Sequence, residues 1–151
     1  MKFELHWLNC FWLILPLLSW NLFLGPKLND SRITSDGYSP KGLLVAENIT
    51  RVAVFALPLL LPLVLNTPLQ KAGLVLYMAG TLIYFASWLP LLLAPHSTWS
   101  NSILGLLAPR LTPLLAFAGI ALIGPSWLYG GLSILFIALH TLHGMQNLQN
   151  L

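Results

Sequence analysis

The chain has 151 residues, 57% of them hydrophobic, and only 11 carry a formal charge, seven Lys or Arg against four Asp or Glu. Soluble domains carry about 25% charged residues, so these few charges cannot coat a water-soluble globule. The lone Cys10 excludes a disulfide scaffold, and the seven scattered basic residues form no run that would meet nucleic acid.

A helix needs about 20 mostly apolar residues to cross the hydrocarbon core of a bilayer. Five stretches qualify: 6–24, 44–65, 72–94, 102–123 and 126–143. Turn signals divide them, with Gly25-Pro26 closing the first, Asn66-Thr67-Pro68 between the second and third, and Gly124-Pro125 between the last two. The first stretch reads as a retained span and not a cleaved leader. Trp7, Trp12 and Trp20 run through it, and no small-residue cleavage pattern follows Leu24. The expected fold is all-α: a polytopic membrane protein, residues 1–151 forming one transmembrane bundle of about five helices. Short connections make consecutive helices antiparallel neighbours.

One connection is long. The polar loop 25–42 holds Lys27, Asp30, Arg32, Asp36 and Lys41, with Asp36-Gly37 as a turn signal. Five spans put this loop and the C-terminus on one face, called the loop side below. Lys27, Arg32, Lys41 and Arg51 lie there, against Lys2 and Lys71 opposite. Excess Lys and Arg mark the cytoplasmic face, which predicts a cytoplasmic loop in a multi-pass protein of the cell or inner membrane. Asn29-Asp30-Ser31 and Asn48-Ile49-Thr50 match the glycosylation pattern, which matters only if the loop faces outward.

Helix direction assigns a depth to every polar residue, and the distribution is one-sided. Glu47 and Arg51 fall at the loop-side end of the second span, Tyr84 in the loop-side half of the third, Arg110 in that of the fourth, and His140 and His143 at that end of the fifth. Glu47 and Arg51 are four apart and share a helix face that continues through Phe55, Pro58 and Pro62. Each proline frees a carbonyl one turn back, so this stripe is expected to face the bundle interior. The plainer reading makes Glu47–Arg51 an interfacial ion pair and the prolines simple bends.

Arg110 lies about 12 Å into the fourth span at ~1.5 Å per residue. A charge at the bilayer centre costs about 2.5–3.5 kcal/mol on insertion scales. Arg110 therefore either snorkels to the headgroups, pairs with Glu47, or holds an anionic headgroup or carboxylate with its planar fork of donors. Gly105, Ala108, Thr112, Ala116 and Gly119 form a small-residue seam on the other face, suited to close helix packing. Ser126, Gly130, Ser133, Ile137, His140 and Gly144 trace a similar seam on the fifth span and place His140 inside.

His140 and His143 are three apart, a spacing open to one metal ion, but a zinc site needs three or four protein ligands and only His96 and Glu47 remain to complete it. They read instead as hydrogen-bonded structural histidines, with no metal and no cofactor implied. There is no Gly-rich phosphate loop, nucleophile elbow or HExxH motif. The expected function is a small binding or accessory subunit. Its one-sided polar recess (Glu47, Arg51, Tyr84, Arg110, His140, His143) would engage an anionic lipid, an amphiphile or a membrane partner, with a homo-oligomer also open. A membrane enzyme acting on a lipid or isoprenoid headgroup is the alternative, with His140 or Glu47 as general base. A transporter subunit ranks third, for want of an inverted repeat.

Overall fold

The computed structural model describes residues 7–28 and 40–149. Lys2 and most of the 25–42 loop, with Asp30, Arg32, Asp36 and the Asn29-Asp30-Ser31 triplet, lie outside the described residues. The chain forms α1 (Phe11–Leu28), α2 (Lys41–Ala56), α3 (Pro68–Leu93), α4 (Ile103–Leu111), α5 (Pro113–Ile123) and α6 (Trp127–Gln149), with a 3-10 turn, Leu57–Leu60, continuing α2. The architecture is an all-α bundle. Stretches 41–60, 68–93, 103–123 and 127–146 are each long and apolar enough to cross a membrane, and α1 adds a fifth rod of 18 residues.

The helix ends depart from the expected ones for local reasons. α1 begins at Phe11 and runs through Gly25-Pro26 to Leu28, because a proline one turn from a C-terminus removes only a bond that the fraying end can spare. α2 ends its α-helical bonding at Ala56 instead of Leu65. Pro58 and Pro62 remove two donors, and the chain leaves the helix at Leu61. Its freed backbone is not left bare. Cys10 donates its N–H to the Leu61 carbonyl at 2.8 Å, and Leu63 donates to Leu8 at 3.1 Å. The Cys10 thiol donates to Pro62 at 3.6 Å. Irregular backbone next to hydrocarbon must be satisfied within the protein, and here residues 8–10 and 61–63 satisfy each other.

α3 starts four residues earlier than the expected Ala72, at Pro68, because Thr67 and Gln70 form a reciprocal cap. The Gln70 N–H donates to Thr67 Oγ1 at 3.2 Å, and the Thr67 N–H donates to Gln70 Oε1 at 3.0 Å. Proline at the first helical position lacks a donor that would go unused there. The fourth expected span is two helices, α4 and α5, joined at Thr112 before Pro113. α6 extends past His143 to Gln149, since polar residues end an apolar run without ending a helix.

Packing follows the small residues. A Cβ on Gly119 would lie 2.5 Å from the Tyr77 nitrogen and 2.6 Å from the Gly73 oxygen, and one on Gly80 would lie 2.5 Å from the Ala116 nitrogen. Hydrogen at these positions lets α3 and α5 touch backbone to backbone. Thr112 continues the contact, its hydroxyl 3.3 Å from that of Ser87 on α3. α6 packs on the other side of α4 and α5 and also against α2, so the α4–α5 rod is sandwiched. α1 lies against α2, the 3-10 turn and α3. It is held by Tyr77 Oη donating to the Leu13 carbonyl at 2.9 Å and by Trp20 stacked on Phe85 with centroids 4.2 Å apart.

Candidate functional site

Four helices carry their polar side chains to one depth. Glu47 stands about 9 Å into α2 from Lys41, and Arg110 about 10 Å into α4 from Ile103. His143 and His140 lie about 9 and 14 Å before the end of α6, and Tyr84 about 14 Å before the end of α3. These positions all sit in the loop-side half, and packing of α6 between α2 and α4 turns shared depth into contact.

Glu47 is the centre, with a side chain only 1% exposed. Arg51, one turn along α2, donates Nη2 to its Oε1. From α6, His140 Nδ1 lies 2.8 Å from Oε1 and His143 Nδ1 lies 2.6 Å from Oε2. An ionised carboxylate only accepts, so each imidazole donates from Nδ1 and keeps Nε2 for another partner. The His140 ring is further fixed by stacking on Phe136, centroids 5.5 Å apart. Exposure rises outward from the carboxylate, to 23% for His143, 31% for His140 and 42% for Arg51. A lone carboxylate at this depth would be costly. Three donors from two helices hold it.

The Nδ1 atoms of His140 and His143 each point at a Glu47 oxygen. Among the described residues no three His, Cys, Asp or Glu side chains are grouped to hold a metal ion. His96, which the spacing argument considered as a completing ligand, lies in the turn after α3.

Arg110 does not pair with Glu47, whose two oxygens are already occupied by its own helix neighbour and by α6. Its guanidinium crosses instead to the α6 backbone, where Nη1 donates to the His140 carbonyl at 3.5 Å. A Cβ at Gly144 would lie 1.8 Å from that Nη1 and 2.5 Å from Cζ. Gly144 is therefore the bed on which the cation rests, and any larger residue would push it away.

A cavity of about 50 Å³ opens beside these groups. Its polar wall is Asn21, Tyr84, Arg110 and His140, and its apolar wall includes Phe55, Phe117, Phe136, Pro109 and Pro113. The volume admits a few water molecules or one small polar group, at about 10–15 Å³ of such space per water. Pro113, also in this wall, has no N–H to offer the Pro109 carbonyl one turn back. Glu47, Arg51 and His143 stand outside the cavity, with His140 linking the two groups.

Sequence reasoning passed over Asn21. It interrupts the apolar run of α1 and donates Nδ2 to the Leu17 carbonyl at 3.0 Å, and a mid-span amide was the available signal. Gly144 was visible only as a small residue on a seam, and the Pro109/Pro113 pair only as a bend.

Arg110 is the guanidinium at the cavity wall, and Glu47, ion-paired to Arg51, acts on it through space without reaching ion-pair distance. The recess has the sign and the donors for an anion. Comparison with protein-family models, with curated proteins and with solved structures returns no match.

Proposed function

We propose that the chain is a membrane-embedded binding or accessory protein whose loop-side recess holds the anionic group of a lipid or other amphiphile. The observation that carries this reading is the state of Arg110. It lies in the wall of a small cavity, and its one hydrogen bond among the described residues is a 3.5 Å contact to a carbonyl. No carboxylate lies at ion-pair distance from it, and Glu47 acts on it only through space. A guanidinium kept at this depth without a close counter-ion is poised for one, and its fork of donors suits a carboxylate or phosphate. The basic excess of the loop side, with Lys27, Lys41 and Arg51, favours a cytoplasmic orientation and a recess beneath that leaflet. The test is native mass spectrometry of the purified protein. Wild type should retain an anionic amphiphile that Arg110→Gln does not, and equal occupancy in both would reject the reading.

A second reading rests on His140. Its Nδ1 is anchored on Glu47 and its ring is stacked on Phe136, which leaves Nε2 as the basic atom for the cavity. A carboxylate-oriented imidazole beside an anion-holding cation is the minimum for general-base chemistry on a headgroup. The retained amphiphile should then change mass on incubation with wild type and stay unchanged with His140→Phe. The transporter reading gains no such support, because Val54, Ile120 and Ile123 fill the core away from the loop side.

A further inference from the structure

We infer that the occupant of the recess is the terminal carboxylate of a single-chain amphiphile, of the fatty-acid type, and not a phosphate headgroup. The inference rests on the anion-binding reading above and sharpens it on three observations.

The first is charge. Arg51 is already paired with Glu47, so Arg110 is the one guanidinium that lines the cavity. One cation in low dielectric balances one negative charge. A phosphate monoester carries ≈ −1.5 to −2 at neutral pH and would leave an excess negative charge among Phe55, Phe117 and Phe136. A carboxylate carries one charge and matches the guanidinium fork with two parallel bonds.

The second is volume and attachment. The cavity measures about 50 Å³ and is backed by Phe117, Phe136 and Ile137. Such a recess accepts a terminal group with one point of attachment. A phosphodiester headgroup is also singly charged, but its phosphorus carries two ester arms that leave in different directions. A carboxylate has one arm, and the apolar wall suits the first methylenes of an alkyl chain.

The third is the spread of remaining partners. Asn21 and Tyr84 line the same cavity as Arg110 and His140 and are hydrogen-bonded to each other, which brings polar atoms of α1 and α3 within the recess for the second carboxylate oxygen. Gly144 sets the position of the guanidinium from behind. It acts as a positioning residue and does not touch the ligand.

The experiment uses the full chain in nanodiscs of neutral phosphatidylcholine, with binding followed by tryptophan fluorescence. The probes are oleate, oleyl alcohol and 1-oleoyl lysophosphatidate. Oleate is expected to bind wild type about tenfold or more tighter than Arg110→Gln, the worth of a charge-assisted pair. Oleyl alcohol should not distinguish the two proteins, and lysophosphatidate should show a smaller dependence on Arg110 than oleate. Gly144→Ala keeps every charge and displaces only the flexible end of Arg110. It should weaken oleate several-fold, and it decides alone if Arg110→Gln does not fold. A dependence on Arg110 or Gly144 for lysophosphatidate that equals or exceeds that for oleate would overturn the carboxylate assignment and leave the anion recess standing. If no anionic probe distinguishes wild type from either variant, the recess reading falls as well.

Discussion

The two halves of this bundle handle polar groups in opposite ways. Away from the loop side, the long-range contacts are neutral and end on backbone carbonyls: Tyr77 donates to Leu13 at 2.9 Å, Gln70 Nε2 to Ile123 at 3.2 Å and the Cys10 N–H to Leu61 at 2.8 Å. Thr67 and Gln70 cap their own helix, Ser133 donates to Tyr129 one turn back at 2.8 Å, and the close contacts there are glycine against backbone. In the loop-side half, the carboxylate of Glu47 finds His140 and His143 on a helix 93 and 96 residues away in sequence. Neutral ties to backbone are what a scaffold needs. Long-range ionic contacts around a cavity cost desolvation and ordering, and a scaffold alone gives no reason to keep them. On the proposed reading, that difference separates the part that holds the bundle together from the part that meets a ligand.

The comparison breaks most visibly at Glu47. Glu47→Leu leaves two imidazoles without their shared acceptor inside the bundle and should cost about 3–5 kcal/mol in detergent unfolding, the range for removing one partner of a buried ion pair. A loss below ~1 kcal/mol would mean that the cluster is loose and solvated. Next comes the seam of the other half. Gly119→Ala places a Cβ 2.5 Å from backbone that cannot rotate away, and should cost about 1–3 kcal/mol by the same measurement while leaving anion binding intact in the folded fraction. Tyr77→Phe removes the bond to Leu13 that ties α3 to α1, an effect of about 1 kcal/mol, with faster hydrogen exchange at the start of α1 as its signature. The smallest effect is expected at Arg51. Its side chain is 42% exposed, so Arg51→Ala should cost no more than about 1 kcal/mol, and this small value beside the large one at Glu47 would assign the work of holding the carboxylate to the histidines.

The number of apolar rods and the one-sided depth of the charges were legible in the sequence, because length in hydrocarbon and rise per residue are properties of a single helix. The ends of α1 and α2 were not. Gly25-Pro26 reads as a stop, but a helix tolerates proline in its closing turns, and the early exit of α2 depends on residues 8–10 arriving to accept and donate. The same limit governed the recess. Spacing placed Glu47, Arg51, Tyr84, Arg110, His140 and His143 at similar depths, yet depth does not give rotation about the bundle axis. A Glu47–Arg110 ion pair, one of the three options for Arg110, does not form for that reason: the packing of α6 on α2 brings His140 and His143 to the carboxylate, and Arg110 lies on the α6 backbone at Gly144. Asn21 stayed hidden because α1 carries one amide among apolar residues, with no partner on its own helix beyond Leu17 to betray its direction.

The convergence of α2 and α6 on one carboxylate is tested most directly by a double-mutant cycle on Glu47→Gln and His143→Phe, with stability measured by unfolding of the full chain in detergent. Side chains 2.6 Å apart should give a coupling of about 1–3 kcal/mol. Effects that add to within about 0.3–0.5 kcal/mol would show two groups that never meet, and the ionic junction of α2 and α6 would not exist.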